Sequence, residues 1–171
     1  MTVNWRKILI TGGGLGLLKP APGSWGTAGA AAIYWVLVWG QWVSMPVVWM
    51  VLLVGALGAS WLLVKLAPGA MRDFGDEDPG QVVLDEYAGF WLTVTWVPVV
   101  RIPGIESAGL SLFVFTSGLY ILFRFFDTLK VPPGRQLERL PAGWGILCDD
   151  LSAGLQANLV AQIIVRCWFM G

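Results

Sequence analysis

Apolar residues run through this chain in long stretches, each closed by a short break rich in proline, glycine or charge. From Ala28 to Leu66 only Gln41 and Lys65 are strongly polar. That length exceeds the roughly 20 residues one membrane crossing needs. Gly40-Gln41 and Ser44-Met45-Pro46 supply a break, which predicts helices over 28–42 and 46–66. The chain turns polar from Pro68 to Gly80, then a third apolar stretch opens at Val82, lasts to Val100 and is ended by Pro98 and Pro103. A fourth span is predicted over 108–126, and a fifth apolar run leads from the Asp149-Asp150 pair to Phe169. Residues 2–18 read as an amphipathic opening at an interface, with Trp5, Ile8, Leu9 and Ile10 against Arg6 and Lys7, broken by Gly12-Gly13-Gly14. Those glycines do not form a nucleotide loop: Leu17 stands where a third glycine or a lysine frame is needed, and no strand precedes them. The pattern predicts one all-α domain over 1–171, an integral-membrane helical bundle of four to five spans.

Composition agrees. Hydrophobic residues make up 56% and charged residues only 13% of the chain, against roughly 25% charged in an average soluble protein. Eleven tryptophans and a mean hydropathy of +0.68 point the same way. A net charge of zero with no basic tract gives nucleic acid nothing to bind. Cys148 and Cys167 are too few for a disulfide framework or zinc site, and Cys148, beside Asp149, reads as a packing residue. No cleavable leader is expected at the N-terminus. The absence of histidine excludes every mechanism that needs an imidazole.

Charge separates by side. With the N-terminus cytoplasmic, five spans place Arg6, Lys7, Lys19, Lys65, Arg72, Arg124, Lys130, Arg135 and Arg139 inside and leave only Arg101 and Arg166 outside. All acids but Glu106 follow them. Four unusual polar segments therefore share one membrane face: Lys19 to Thr27, Asp85-Glu86, Arg124 to Pro133, and the stretch from Gly143 to Gly154. In the first, the prolines and glycines oppose a helix, and Ser24 or Thr27 is expected to cap the helix that follows. With Lys19 close by, such a helix start is a plausible anion cradle, weighed evenly against an ordinary turn with a snorkelling lysine. Asp85 and Glu86 diverge by about 100° on a helix, so one metal is expected to take only one of them. If the fourth helix persists, Phe123, Asp127 and Lys130 share a face, with an Asp127–Lys130 pair as the simple outcome. A polar loop over 134–142 then leads to the last helix, where Ala153, Ala157 and Ala161 form a small-residue stripe that turns the Asp pair toward protein.

Asp149 and Asp150 at the mouth of an apolar helix are costly to desolvate and call for a counter-charge. Carboxylates select hard cations, so acids, bases and a helix N-terminus together suit a phosphate bound through Mg²⁺. Covalent phosphatase routes fit poorly. Cys148 has Gly154, not arginine, six residues on, and Asp127-Thr128-Leu129 lacks a second aspartate. Attack by metal-activated water is the simple option that remains.

Four motifs carry a resemblance: Pro22-Gly23-Ser24-Trp25-Gly26-Thr27; Asp85-Glu86 with Gly89; Phe123-Arg124-Phe125-Phe126-Asp127 with Lys130 and Pro132; and Gly145, Asp149-Asp150 and Gly154. In order and spacing the chain resembles the bacterial phosphatidylglycerophosphatase A family. The resemblance implies an all-helical enzyme of the bacterial inner membrane that removes the terminal phosphate of phosphatidylglycerophosphate, with Mg²⁺ as cofactor and the site facing the cytoplasm. It implies Asp85, Glu86, Asp127, Asp149 and Asp150 as the acidic metal-binding set, with Glu86, Asp127, Asp149 and Asp150 catalytic. Lys19, Ser24, Thr27, Arg124 and Lys130 are the phosphate-contact candidates on physical grounds. The segment 74–81 is less motif-like, so no metal role is carried to Asp76, Glu77 or Asp78. Expected partners are the lipid substrate and the bilayer, with a homo-oligomer left open. The rival reading is a small ion transporter, which would spread its acids through membrane depth. A phosphotransferase acting on CDP-linked lipids ranks lower, because no arginine follows Asp149-Asp150 at the spacing it needs.

Overall fold

Proline and glycine divide the chain into helices in the computed structural model, which describes residues 5–76, 79–141 and 143–170. Helix α1 spans Trp5–Ile10 and stops at Gly12, Gly13 and Gly14, all with positive φ, before a 3₁₀ turn over Leu15–Leu17. Helix α2, Pro22–Gly40, starts with proline in its first turn, where the missing N–H costs no bond, and ends at Gln41 in the left-handed region. Helix α3, Met45–Phe74, follows Ser44 and carries Pro46 in its first turn. Helix α4 is Leu84–Val94, α5 is Ala108–Leu129, α6 is a single turn over Gly134–Leu137, and α7 is Gly143–Ile164, continued by a π turn over Val165–Phe169. No strand occurs among the described residues.

Several boundaries differ from those expected. Helix α3 does not stop at Leu66 but runs through Pro68 to Phe74 and is closed by Gly75 in the left-handed region. Ala67 and Ala70 are buried there, and Gly143 at the start of α7 presses on Ala67, so packing holds the last turns despite the proline. The stretch 82–100 is not one long helix. Its helical part is 11 residues, roughly 16 Å by helix rise against a hydrocarbon core of about 30 Å. The chain turns at Trp96, whose φ is 59°, just before Pro98. Leu84 to Phe90 are all buried. After its acidic first turn, helix α4 is largely apolar because it is the centre of the bundle, with α2, α3, α5 and α7 about it. Apolar content reported burial, and burial by protein and by lipid read alike in the sequence.

Helices α3 and α5 are long and apolar enough to cross a membrane. Both carry large apolar side chains on their outer faces, among them Met50, Val54, Leu57 and Trp61 on α3 and Phe113, Ile121 and Phe125 on α5. Inside, Tyr34, Phe90 and Phe123 stack edge to face across α2, α4 and α5, with centroids 6.5 and 6.2 Å apart.

The α4–α7 contact positions the functional end. Gly89 and Gly154 face each other: a Cβ on Gly154 would collide with the Gly89 carbonyl, and one on Gly89 would lie 2.7 Å from the Asp150 carbonyl oxygen. At the other end of α4, the Asn158 Nδ2 donates to the carbonyls of Leu92, Thr93 and Thr95 at 3.2, 2.9 and 2.7 Å, in the last turn of the helix and just beyond it. Ala153, Ala157 and Ala161 are buried, as the small-residue stripe required.

Candidate active site

Asp85 and Glu86 occupy the first turn of α4, and Asp149 and Asp150 the second turn of α7. The glycine crossing draws these turns together and buries all four carboxylates. Neighbours on one helix point apart, and α7 uses the divergence. Asp149 Oδ2 lies 3.0 Å from Lys130 Nζ, whereas Asp150 turns to α4. Asp85, Glu86 and Asp150 bring one ligating oxygen each within 4.8 Å of one another. Both Asp85 and Glu86 thus reach the group, although their side chains leave the helix about 100° apart. Helix α4 is surrounded, so both directions from its first turn meet protein, and flexible side chains close the remaining angle.

Cations edge this cluster. Arg124 Nη1 lies 2.6 Å from Asp127 Oδ2 and 3.9 Å from Glu86 Oε1. Lys130 ends α5 in the left-handed region, which swings its side chain away from Asp127. The expected Asp127–Lys130 pair is replaced by pairs from Lys130 to Asp149 and to Glu138, the latter at 2.6 Å. Gln156 fixes this loop by donating to the carbonyls of Val131 and Pro132 at 3.3 and 3.4 Å.

A cleft of about 860 Å³ holds these groups. The first turn of α2 lines it through Pro22, Gly23 and Ser24, together with Asp85, Glu86, Arg124, Asp127, Lys130, Asp149 and Asp150. Gly23 abuts the Glu86 carboxylate so closely that a Cβ would strike it. Neither Ser24 nor Thr27 caps α2; the cap position is Ala21, because Pro22 starts the helix earlier than expected. Thr27 is fully buried and donates to the Gly23 carbonyl at 3.0 Å, while Lys19 is exposed; neither lines the cleft. Glu138 and Arg139 do line it, though nothing in the sequence singled them out beyond their place in the polar loop before α7. Glu77 and Asp78 lie outside the described residues; Asp76 is exposed.

Burial, reinforced by the neighbouring Glu86 charge, holds the Asp85 carboxyl well above the usual carboxylate range. Burial raises Glu86 to about 8, helped by Asp150 and opposed by a hydrogen bond with Asp85 and by Arg124. Asp150 is raised well above its usual range by burial and then by Asp85 and Asp127. Asp149 is raised by burial and pulled back by Lys130. Burial pulls the Lys130 ammonium down, but its hydrogen bonds to Glu138 and Asp149 leave it raised. Burial also raises the Cys148 thiol, consistent with packing rather than reaction. The Asp85 Oδ1, Glu86 Oε2 and Asp150 Oδ2 atoms are buried without hydrogen-bond partners. Three buried carboxylates with unpartnered oxygens fit a hard divalent cation.

Comparison with known proteins agrees with the motifs. The model of the family described as phosphatidylglycerophosphatase A matches residues 8–165. A phosphatidylglycerophosphatase A of Haemophilus influenzae is 31% identical over 98% of this chain and 93% of its own length. One from Escherichia coli K12 is 27% identical over 100% and 89%. A protein of Bacteroides thetaiotaomicron, provisionally named a phosphatidylinositol-3-phosphatase, is 28% identical over 98% of both chains. No solved structure matches.

Proposed function

The chain belongs to the phosphatidylglycerophosphatase A family, and we propose that it hydrolyses the terminal phosphomonoester of phosphatidylglycerophosphate to phosphatidylglycerol and phosphate. One observation carries the reading: a single cleft holds three buried, mutually close carboxylates opposite Arg124 and Lys130. Asp85, Glu86 and Asp150 would hold Mg²⁺. When bound, such an ion neutralises phosphoryl charge and supplies a nucleophilic water at neutral pH.

The chain's own groups account for the rest. Asp127 and Glu86 aim the Arg124 guanidinium into the cleft, and Asp149 and Glu138 aim Lys130. Together with the first N–H groups of α2, beside Ser24, these cations orient the phosphate oxygens and stabilise charge as the phosphoryl group transfers. Lys19 and Thr27 take no part. Asp127 and Asp149, each ion-paired with a cation at the edge of the acid cluster, are the carboxylates placed to accept the proton of the attacking water.

The domain is the whole chain, in the bacterial inner membrane with the cleft facing the cytoplasm, as the positive-inside distribution supports. Clustering of the acids at one end of the bundle counts against the transporter reading. The test is phosphate release from phosphatidylglycerophosphate by purified protein in detergent, with Mg²⁺ or EDTA. Metal-dependent release, abolished by Asp149→Asn, is expected; no release from folded protein would overturn the reading.

A further inference from the structure

The walls of the cleft continue as a second cavity. On α2 the cleft ends at Ser24, and four residues on, Ala28 begins an apolar groove of about 480 Å³. On α5 the cleft begins at Arg124, and four residues earlier Tyr120 lines the groove. A spacing of four keeps a helix face, so the groove extends the cleft along the same two helices. Tyr120 stands at the junction and donates from its hydroxyl to the Ser24 carbonyl at 3.3 Å. Small residues such as Ala28 and Ala32 leave room between the aromatic walls of Trp35 and Phe113. Ala32 and Phe113 are exposed, so the groove opens on the outer face of α5, a helix apolar enough to span a membrane.

Two buried polar atoms that line this groove have no partner, the Trp35 indole N–H and the Thr116 hydroxyl, and the hydroxyl is the unexpected one. Thr27, Ser60, Thr93 and Thr95 each donate to the carbonyl four residues earlier, the usual outlet for a helical hydroxyl. Thr116 does not: it is 5% exposed, lines the groove, and its Oγ1 has no hydrogen-bond partner. Thr116 lies eight residues before Arg124, about 12 Å along the helix. An extended glycerol–phosphate–glycerol link covers a comparable distance.

Building on the proposed lipid phosphatase activity, we infer that this groove binds one acyl chain of the substrate, with the Thr116 hydroxyl donating to the chain's ester carbonyl. The headgroup phosphate then lies beside Arg124 while the chain runs between α2 and α5 toward the hydrocarbon. The groove would thus select for an esterified, long-chain lipid.

The test measures kcat and KM in detergent for an ester-linked phosphatidylglycerophosphate and its ether-linked analogue of equal chain length. Thr116→Val keeps shape but loses the donor, and is expected to lower kcat/KM about fivefold on the ester lipid and leave the ether lipid unchanged. Ala32→Phe fills the groove and is expected to raise KM about tenfold on both lipids with kcat kept. Equal effects of Thr116→Val on the two lipids, or none on either, would overturn the inference even if Ala32→Phe failed to fold. Wild-type protein that turned over neither lipid would instead overturn the enzymatic reading, and the groove's role with it.

Discussion

Gly89 on α4 and Gly154 on α7 meet backbone to backbone, with no room for a Cβ on either side. The contact lies one turn from Glu86 and from Asp150, so it sets how closely those carboxylates approach.

Gly154→Ala is accordingly expected to act on both stability and activity. Overpacking of this kind costs about 1–3 kcal/mol, and a displaced carboxylate can lower turnover about a hundredfold. Thermal unfolding and phosphate release in detergent would check both. Gly118→Ala is the control, since a Cβ there meets nothing within 4 Å; it should leave activity unchanged and stability equal or slightly higher, as alanine suits a helix interior better than glycine.

Asp85→Asn and Asp150→Asn separate function from stability. Each puts a neutral amide of the same shape in place of a buried carboxyl crowded by other acids, so unfolding in metal-free buffer should occur no earlier than in wild type. Phosphate release should fall about a thousandfold, as loss of a metal-holding carboxylate implies. Early unfolding with activity retained would reject the metal-holding role.

Much of this arrangement was legible in the chain. The breaks at Gly40-Gln41 and Ser44-Pro46 follow from proline and glycine, and the gathering of the acids at one end of the bundle follows from hydropathy and charge. What escaped has physical causes. Lys130 finds Asp149 rather than Asp127 because one residue in the left-handed region redirects its side chain, which spacing rules do not foresee. Glu138 escaped because its role depends on a loop folding back on α5. The length of α4 escaped because an apolar run does not say whether protein or lipid covers it.

Metal and pH should act on the same three acids. Glu86 stands at about 8 against an ordinary 4.5. The folded chain holds a proton there that the unfolded chain releases, so without metal this contribution is complete below pH 4.5 and is lost as pH rises through about 8. In EDTA the unfolding temperature is expected to fall across that window, and Mg²⁺ should abolish the fall by replacing the proton as counter-charge. Unfolding curves at a series of pH values with and without metal would show it.

Lys130 and Glu138 should differ in weight. Lys130→Met strands the buried Asp149 and removes a phosphate contact, so kcat/KM should drop about a hundredfold. Glu138 is exposed and leaves Lys130 its other partner, so Glu138→Gln should cost about twofold or less. Steady-state kinetics of the two variants would establish the order.

The brevity of α4 bears on how the molecule is made. A helix of 11 residues that starts with two acids is too short to be threaded into a bilayer by itself. It needs neighbours already in place to take its ends, and the residue that closes its far end, Asn158, is translated more than sixty residues later. The acids of α4 therefore complete their cluster only after α7 has been made and packed, and a chain halted before its last helix lacks Asp149 and Asp150.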